Sequence, residues 1–275
     1  MKVTVTNFQQ RDVEPYVKLV EDIVAQEFSE LNHLFDELRI LIGNADDIRN
    51  GLFWKQAKEF LGNTELVSLT KDVFVIRSWA NPPKALIEIN LSTFETYEQW
   101  KQKLAIRHEC CHLLHYEKSP AIFNELLKGY SQNYLNDFVR YMNEYCAHLC
   151  VIQRYPNDWM IEPLGFRKTK QSPSVFYNIT KAKEGTKAAL HSSIKNIVYI
   201  LSVLYLYESL PPNLKSKVKK KKKVAKKYLA DFFKTMKKDL PIDFPPPENW
   251  LTPEDFLSSG VYFEKVQKLF ALVFH

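Results

Sequence analysis

A mainly helical α+β fold is the expectation for this chain, and three observations carry it. Glycine is scarce, 7 in 275 residues, while long aliphatic side chains are common, a balance that favours helix over an all-β fold. Apolar residues recur at helical spacing through most of the chain. Two short runs, 73–77 and 86–91, are instead β-branched and alternating, and they read as a small antiparallel sheet.

At the N-terminus, Lys2 to Thr6 alternates as a short strand. From Val13 to Ile42 two helices are expected, parted near Ser29: Val13, Tyr16, Val17, Val20 and Val24 define the first, and Leu31, Leu34, Phe35, Leu38 and Leu41 the second. Pro15 is tolerated in an opening turn, and Gly43-Asn44 ends the second helix. A third helix spans Ile48 to Leu61, closed by Gly62-Asn63. After the strand at Val73 to Arg77, Asn81-Pro82-Pro83 makes a turn. The next strand puts Ile87, Ile89 and Leu91 on one face and Leu86, Glu88 and Asn90 on the other. Thr96 and Gln99 have the spacing of a capping box, opening a helix that runs to about Glu117, where Ser119-Pro120 stops it. Asn136-Asp137 caps a helix from Phe138 to Tyr155, and a loop around Pro163-Leu164-Gly165 follows. Helices resume at Thr180 to Ser192 and Ile194 to Leu210.

Residues 215–238 are dominated by lysine, with Lys219 to Lys223 unbroken. Val224, Tyr228, Leu229, Phe232 and Phe233 supply an apolar stripe, so the segment reads as an amphipathic helix docked on the core. Clustered lysines also attract phosphates, which makes Lys219 to Lys223 a candidate contact for nucleic acid or an anionic surface. Pro245-Pro246-Pro247 is a stiff linker before a last helix from Pro253 to Phe274. The expected organisation is an N-terminal helical region (1–65), a core (66–175) and a C-terminal helical region (176–275) with the lysine-rich segment 215–238.

Several classes are disfavoured. The net charge of +6 demands no nucleic acid on its own. The N-terminus lacks an apolar signal-peptide region. The longest apolar run, Ile197 to Tyr207, is too short for a membrane span of about 20 residues and reads as a buried helix, so no transmembrane segment and a cytoplasmic location are expected. Cys110, Cys111, Cys146 and Cys150 then serve as small core residues in a reducing compartment, with a regulatory disulfide or a thiolate metal site as alternatives; no C-x-x-C pair supports the latter.

The chemistry comes from His108-Glu109-Cys110-Cys111-His112, an H-E-x-x-H motif in a helical stretch. On a helix, positions i and i+4 lie about 40° apart, so both imidazoles reach one metal ion. Zinc accepts histidine nitrogen and, in catalytic sites, keeps an open position for water. Glu109 is placed to act on that water as general base. His115, about two turns along the axis from His108, is too distant to share the ion. Two histidines require a third ligand. Glu144, in Asn143-Glu144-Tyr145-Cys146-Ala147-His148, is the choice, with Cys146 and Ala147 small enough for close helix approach.

The two motifs together resemble the gluzincin metallopeptidases, in which H-E-x-x-H precedes a helical Glu-x-x-Ala; the chain has Glu144-Tyr145-Cys146-Ala147. The minigluzincins and the ImmA/IrrE-type peptidases are the most similar kinds. The resemblance covers roughly residues 73–155. It implies a zincin-like core with an active-site helix, a Zn2+ cofactor, a peptide or protein substrate, and a strand at 86–91 forming the edge above the cleft. Prenyl-protease-like and HtpX-like gluzincins carry an Asp after the Ala, where this chain has His148, a candidate to hydrogen-bond behind a ligand. His148 also opens a rival reading, an all-histidine site as in SprT-like proteases that act on DNA-bound proteins. The remaining alternatives are a regulatory peptidase with a single protein target, a self-inhibited zymogen and a non-catalytic, zinc-stabilised interaction protein. A group to stabilise the oxyanion is also expected; Tyr130, Tyr134, Tyr141 and Tyr177 are candidates, and the sequence does not choose among them.

Overall fold

A computed structural model describes residues 1–62, 74–115, 132–157 and 172–274. The expectations for Val73, for the helix end at Glu117 to Pro120, for Tyr130 and the Tyr134 side chain, and for the Pro163-Leu164-Gly165 loop lie outside the described residues. The chain divides into two compact units, Met1–Lys118 and Ser119–His275.

The first unit is built on a four-stranded sheet in the order β1 (Lys2–Asn7), β2 (Glu37–Gly43), β4 (Lys84–Asn90), β3 (Ile76–Asn81). β1, β2 and β4 run parallel, and β3 pairs antiparallel with β4 through the Pro82-Pro83 turn. The fold class is therefore α+β and mainly helical, as expected, but the sheet is mixed rather than antiparallel. The N-terminal strands share one sheet with the β3–β4 hairpin.

The largest correction is β2, which replaces most of the expected second helix. Only Leu31–Leu34 is helical there (α2), after α1 at Glu14–Glu27. Leu38, Ile40, Leu41 and Ile42 are all fully buried. A strand covered on both faces is a continuous apolar run, and such a run satisfies helical spacing by accident. Gly43 ends this strand against a tight neighbour: a Cβ there would fall 2.7 Å from both the Asp47 carboxylate and the Phe53 ring. Asn44 then caps α3 (Ala45–Arg49), its side chain accepting from the Asp46 and Asp47 amides. α4 (Leu52–Leu61) follows, so the expected third helix is in fact two.

β4 lies inside the sheet, and the expectation that it forms the edge is overturned; among the described residues β3 and β1 are the edges. Period-two alternation sorts β3 into two faces. Trp79 packs, partly buried, on the cluster of Leu41, Ile48, Phe53, Ala57, Phe60, Leu61 and Leu86 contributed by β2, β4, α3 and α4. Ser78 faces the other way, onto α6 (Gln99–His115), the helix after the short α5 (Leu91–Phe94). On the Trp79 face, β4 buries Glu88 completely. One Glu88 oxygen accepts from the Arg77 guanidinium and, at 2.7 Å, from the Trp79 indole. The other oxygen, Oε1, has no hydrogen-bond partner among the described residues. Arg77 in turn stacks over Phe74, 3.9 Å from the ring centre.

The second unit is helical: α7 (Gln132–Arg154), α8 (Pro173–Glu184), α9 (Thr186–Ser209), α10 (Pro212–Met236) and α11 (Ser259–Phe274). α9 packs on all four of the others. It is long and apolar enough to span a membrane, yet 67% of its apolar window is buried within the protein, the pattern of a core helix. The α8–α9 break falls at Gly185 (φ 91°) rather than near Ser193, because only glycine adopts that backbone without strain. α7 starts before the expected cap. Asp137 sits inside the helix and pairs its carboxylate with Lys195 of α9 at 2.6 Å.

His191 of α9 is buried, stacked on Phe270 of α11 at 4.9 Å and edge-on to Phe138 of α7. Burial, reinforced by Lys195 and opposed by Asp137, holds its pKa down at about 4. The unfolded chain binds a proton near pH 6.5 and the folded chain does not until about 4, so stability falls as pH drops through that window. His191→Phe is expected to flatten the fall in thermal midpoint between pH 7 and pH 4.5; an unchanged slope in differential scanning calorimetry would assign the acid sensitivity to other groups.

Candidate functional site

α6 carries the motif. The Glu98 carbonyl accepts from the Gln102 amide and so begins the helix; Thr96 turns its hydroxyl onto the Thr93 carbonyl at 2.6 Å, and the expected Thr96–Gln99 box does not form. Gln102 holds the preceding turn by donating to the Phe94 and Tyr97 carbonyls, 3.1 Å each. Arg107 grips Glu27 of α1 through two nitrogens, at 2.7 and 2.9 Å, a planar pairing that resists rotation of α6 about its axis. With that rotation set, Leu104, Ile106, Glu109, Cys110, Cys111 and Leu113 point inward.

His108 and His112 lie half-buried at the boundary of this inward face, with their Nε2 atoms 3.0 Å apart and their rings at 89°. Two nitrogens bound to one tetrahedral zinc at about 2.0–2.1 Å stand about 3.3 Å apart, so the pair fits a shared ion with little adjustment. Glu109, between them in sequence, is buried at 7% exposure. Its Oε2 accepts from the Ser78 hydroxyl at 2.7 Å, and Ser78 also lies 3.2 Å from the Glu109 carbonyl oxygen. The first unit thus brings together His108, Glu109, His112 and Ser78 of edge strand β3.

Glu144 and His148 belong to α7 in the second unit. They sit one turn apart, with His148 Nε2 3.6 Å from Glu144 Oε2, beyond hydrogen-bond length. Glu144 is half-buried and His148 buried. Of the tyrosines, Tyr177 commits its hydroxyl to Asp239 at 2.7 Å, and burial raises its pKa. Tyr141 packs against Tyr199 with ring centres 5.3 Å apart, its pKa likewise raised by burial. The four cysteines are thiols, Cys110 and Cys111 fully buried, and the Cys146 thiol donates to the Phe256 carbonyl at 3.1 Å.

Ser78 and the Arg107–Glu27 pair escaped the sequence reading. The signal for Ser78 was present: it is the one polar residue between Ile76 and Ala80 on a strand face directed at a helix, and a half-buried hydroxyl there favours a partner. No protein-family model matches this chain, and no curated protein or solved structure does either.

Replacing Ser78 with Ala removes a hydrogen bond to a buried carboxylate. The expected loss is about 1–3 kcal/mol of unfolding free energy. Urea denaturation of the two proteins checks it, and equal midpoints would show that the bond adds nothing to stability.

Proposed function

We propose that the protein is a zinc-dependent peptidase of the gluzincin kind, with His108, His112 and Glu144 as metal ligands and Glu109 as general base. The supporting observation is the pair of imidazole nitrogens 3.0 Å apart on one helix face, with an intervening carboxylate held by Ser78. The donor set of two imidazoles and one carboxylate is that of catalytic rather than structural zinc. Bound there, zinc would supply a water acidified to a pKa of about 7 and polarise the scissile carbonyl. Glu109 takes the proton from the attacking water and returns it to the leaving amine. Ser78 limits the carboxylate to one orientation during both transfers. The substrate is an extended peptide that pairs its main chain with β3, whose outer edge carries no other strand among the described residues.

About one zinc per chain is expected in native protein purified without a metal-affinity tag, read by elemental analysis. His112→Ala and Glu144→Ala should each lose it. Zinc retained in Glu144→Ala would move the third ligand to His148 and favour the all-histidine, SprT-like arrangement. Glu109→Gln should keep the metal and lose peptide hydrolysis; full turnover in that variant would remove the mechanism.

A second reading rests on the same 3.0 Å contact, which also suits an N–H···N hydrogen bond between neutral imidazoles. The pair would then be structural and the protein an interaction module. Wild-type protein that takes up no zinc on titration would establish that reading.

A further inference from the structure

α10 plays no part in the metal reading, and its chemistry is distinct. Between Lys215 and Lys227 it carries nine lysines, and from Pro211 to Ala230 there is no Asp or Glu. Leu214, Val218, Ala225, Tyr228, Phe232 and Met236 form its buried side, packed on α8 and α9. The outer side is left to lysine: Lys215, Lys217, Lys219, Lys220, Lys223, Lys226 and Lys227 are exposed. Lys222 pairs with Glu208 of α9 at 2.9 Å; none of the other eight makes an ion pair among the described residues. The result is a cationic ridge about 18 Å long on a continuous helix.

Such a ridge is costly by itself. Like charges at i, i+3 and i+4 repel and destabilise a helix, a penalty relieved when an opposite charge covers them. The covering surface must be densely anionic and polar. An amphipathic helix that enters a membrane keeps an apolar face for the lipid. In α10 that face is already used in packing, and Val224, 40% exposed, is the only large apolar side chain on the lysine side. Duplex nucleic acid presents a phosphate charge about every 1.7 Å of its axis, so about ten lie along the ridge. At one end, Lys215, Ser216, Lys219 and Lys222 line, with Val218 and Tyr207, a recess of about 330 Å³, so the ridge borders a concave surface.

We propose that α10 docks the phosphate backbone of duplex nucleic acid without reading its sequence. The docking does not depend on the metal site and stands if that site is structural. The probe is a fluorescent DNA duplex of about 20 base pairs in two unrelated sequences, read by anisotropy at about 50 and about 200 mM salt. Both sequences should bind alike, and the affinity should fall about a hundredfold or more between the two salts, as four or more phosphate contacts require. The variant carrying Lys219→Gln, Lys220→Gln, Lys223→Gln and Lys227→Gln should lose most of the binding and most of the salt dependence. The control carrying Lys2→Gln, Lys18→Gln, Lys55→Gln and Lys183→Gln removes the same charge from scattered exposed positions and should bind nearly as wild type. No duplex binding by the wild type at the lower salt overturns the proposal. So does an equal loss in both variants, or binding confined to phosphatidylserine vesicles.

Discussion

The hydrogen bond from Ser78 to Glu109 joins the edge strand to the motif helix, and much of the first unit is arranged around what it requires. A carboxylate at 7% exposure needs a donor, and an exposed loop could not supply one with a fixed direction. β3 supplies it because alternation turns every second residue toward α6. The intervening residues, Arg77 and Trp79, turn to the opposite face and both donate to one oxygen of a second buried carboxylate, Glu88. One short strand therefore settles an acid on each face of the sheet. A one-residue slip in its pairing with β4 would present Arg77 and Trp79 to Glu109 and Ser78 to Glu88, so the two acids together specify the register. The Arg107–Glu27 pair adds the remaining constraint, the rotation of α6.

What could be read from the sequence follows from how each signal arises. The motif helix and the β3–β4 hairpin were legible because periodicity, a Pro-Pro turn and spaced chemistry agree over those residues, although β3 runs Ile76–Asn81, nearer the turn than the expected 73–77. β2 was not, since a strand buried on both sides loses the alternation that would reveal it, and Leu31, Leu34, Phe35, Leu38 and Leu41 imitate a helix. The edge position of β3 depends on which strand joins the hairpin, a long-range pairing that no local pattern encodes. The lysine helix was legible as amphipathic, but its stripe was misplaced by one side: Val224 is exposed, and Ala225, Val218 and Leu214 continue the buried line from Tyr228. Small and distant residues carry that line, and a reading weighted to large apolar side chains overlooks them.

Helix geometry also bears on which atoms the motif can offer a metal. His108 and His112 are separated by about 40° around the axis, whereas Cys110 is about 200° from His108. Cys110 and Cys111 are both fully buried, and the inward face that holds them is the face that packs the unit. A thiolate ligand from either would have to leave that packing, and the lost apolar contact would oppose it. The helix therefore presents nitrogen and withholds sulfur, although all five motif residues are of kinds that bind zinc elsewhere. Structural zinc is usually enclosed by four protein ligands rich in sulfur, while three nitrogen and oxygen ligands leave a position for water. If the proposed metal is bound, the burial of the two thiols leaves it nitrogen and oxygen ligands, the donor set of an open site. Under the proposed function, an acid beside two imidazoles acts on water in the remaining position, a role that four enclosing protein ligands would remove.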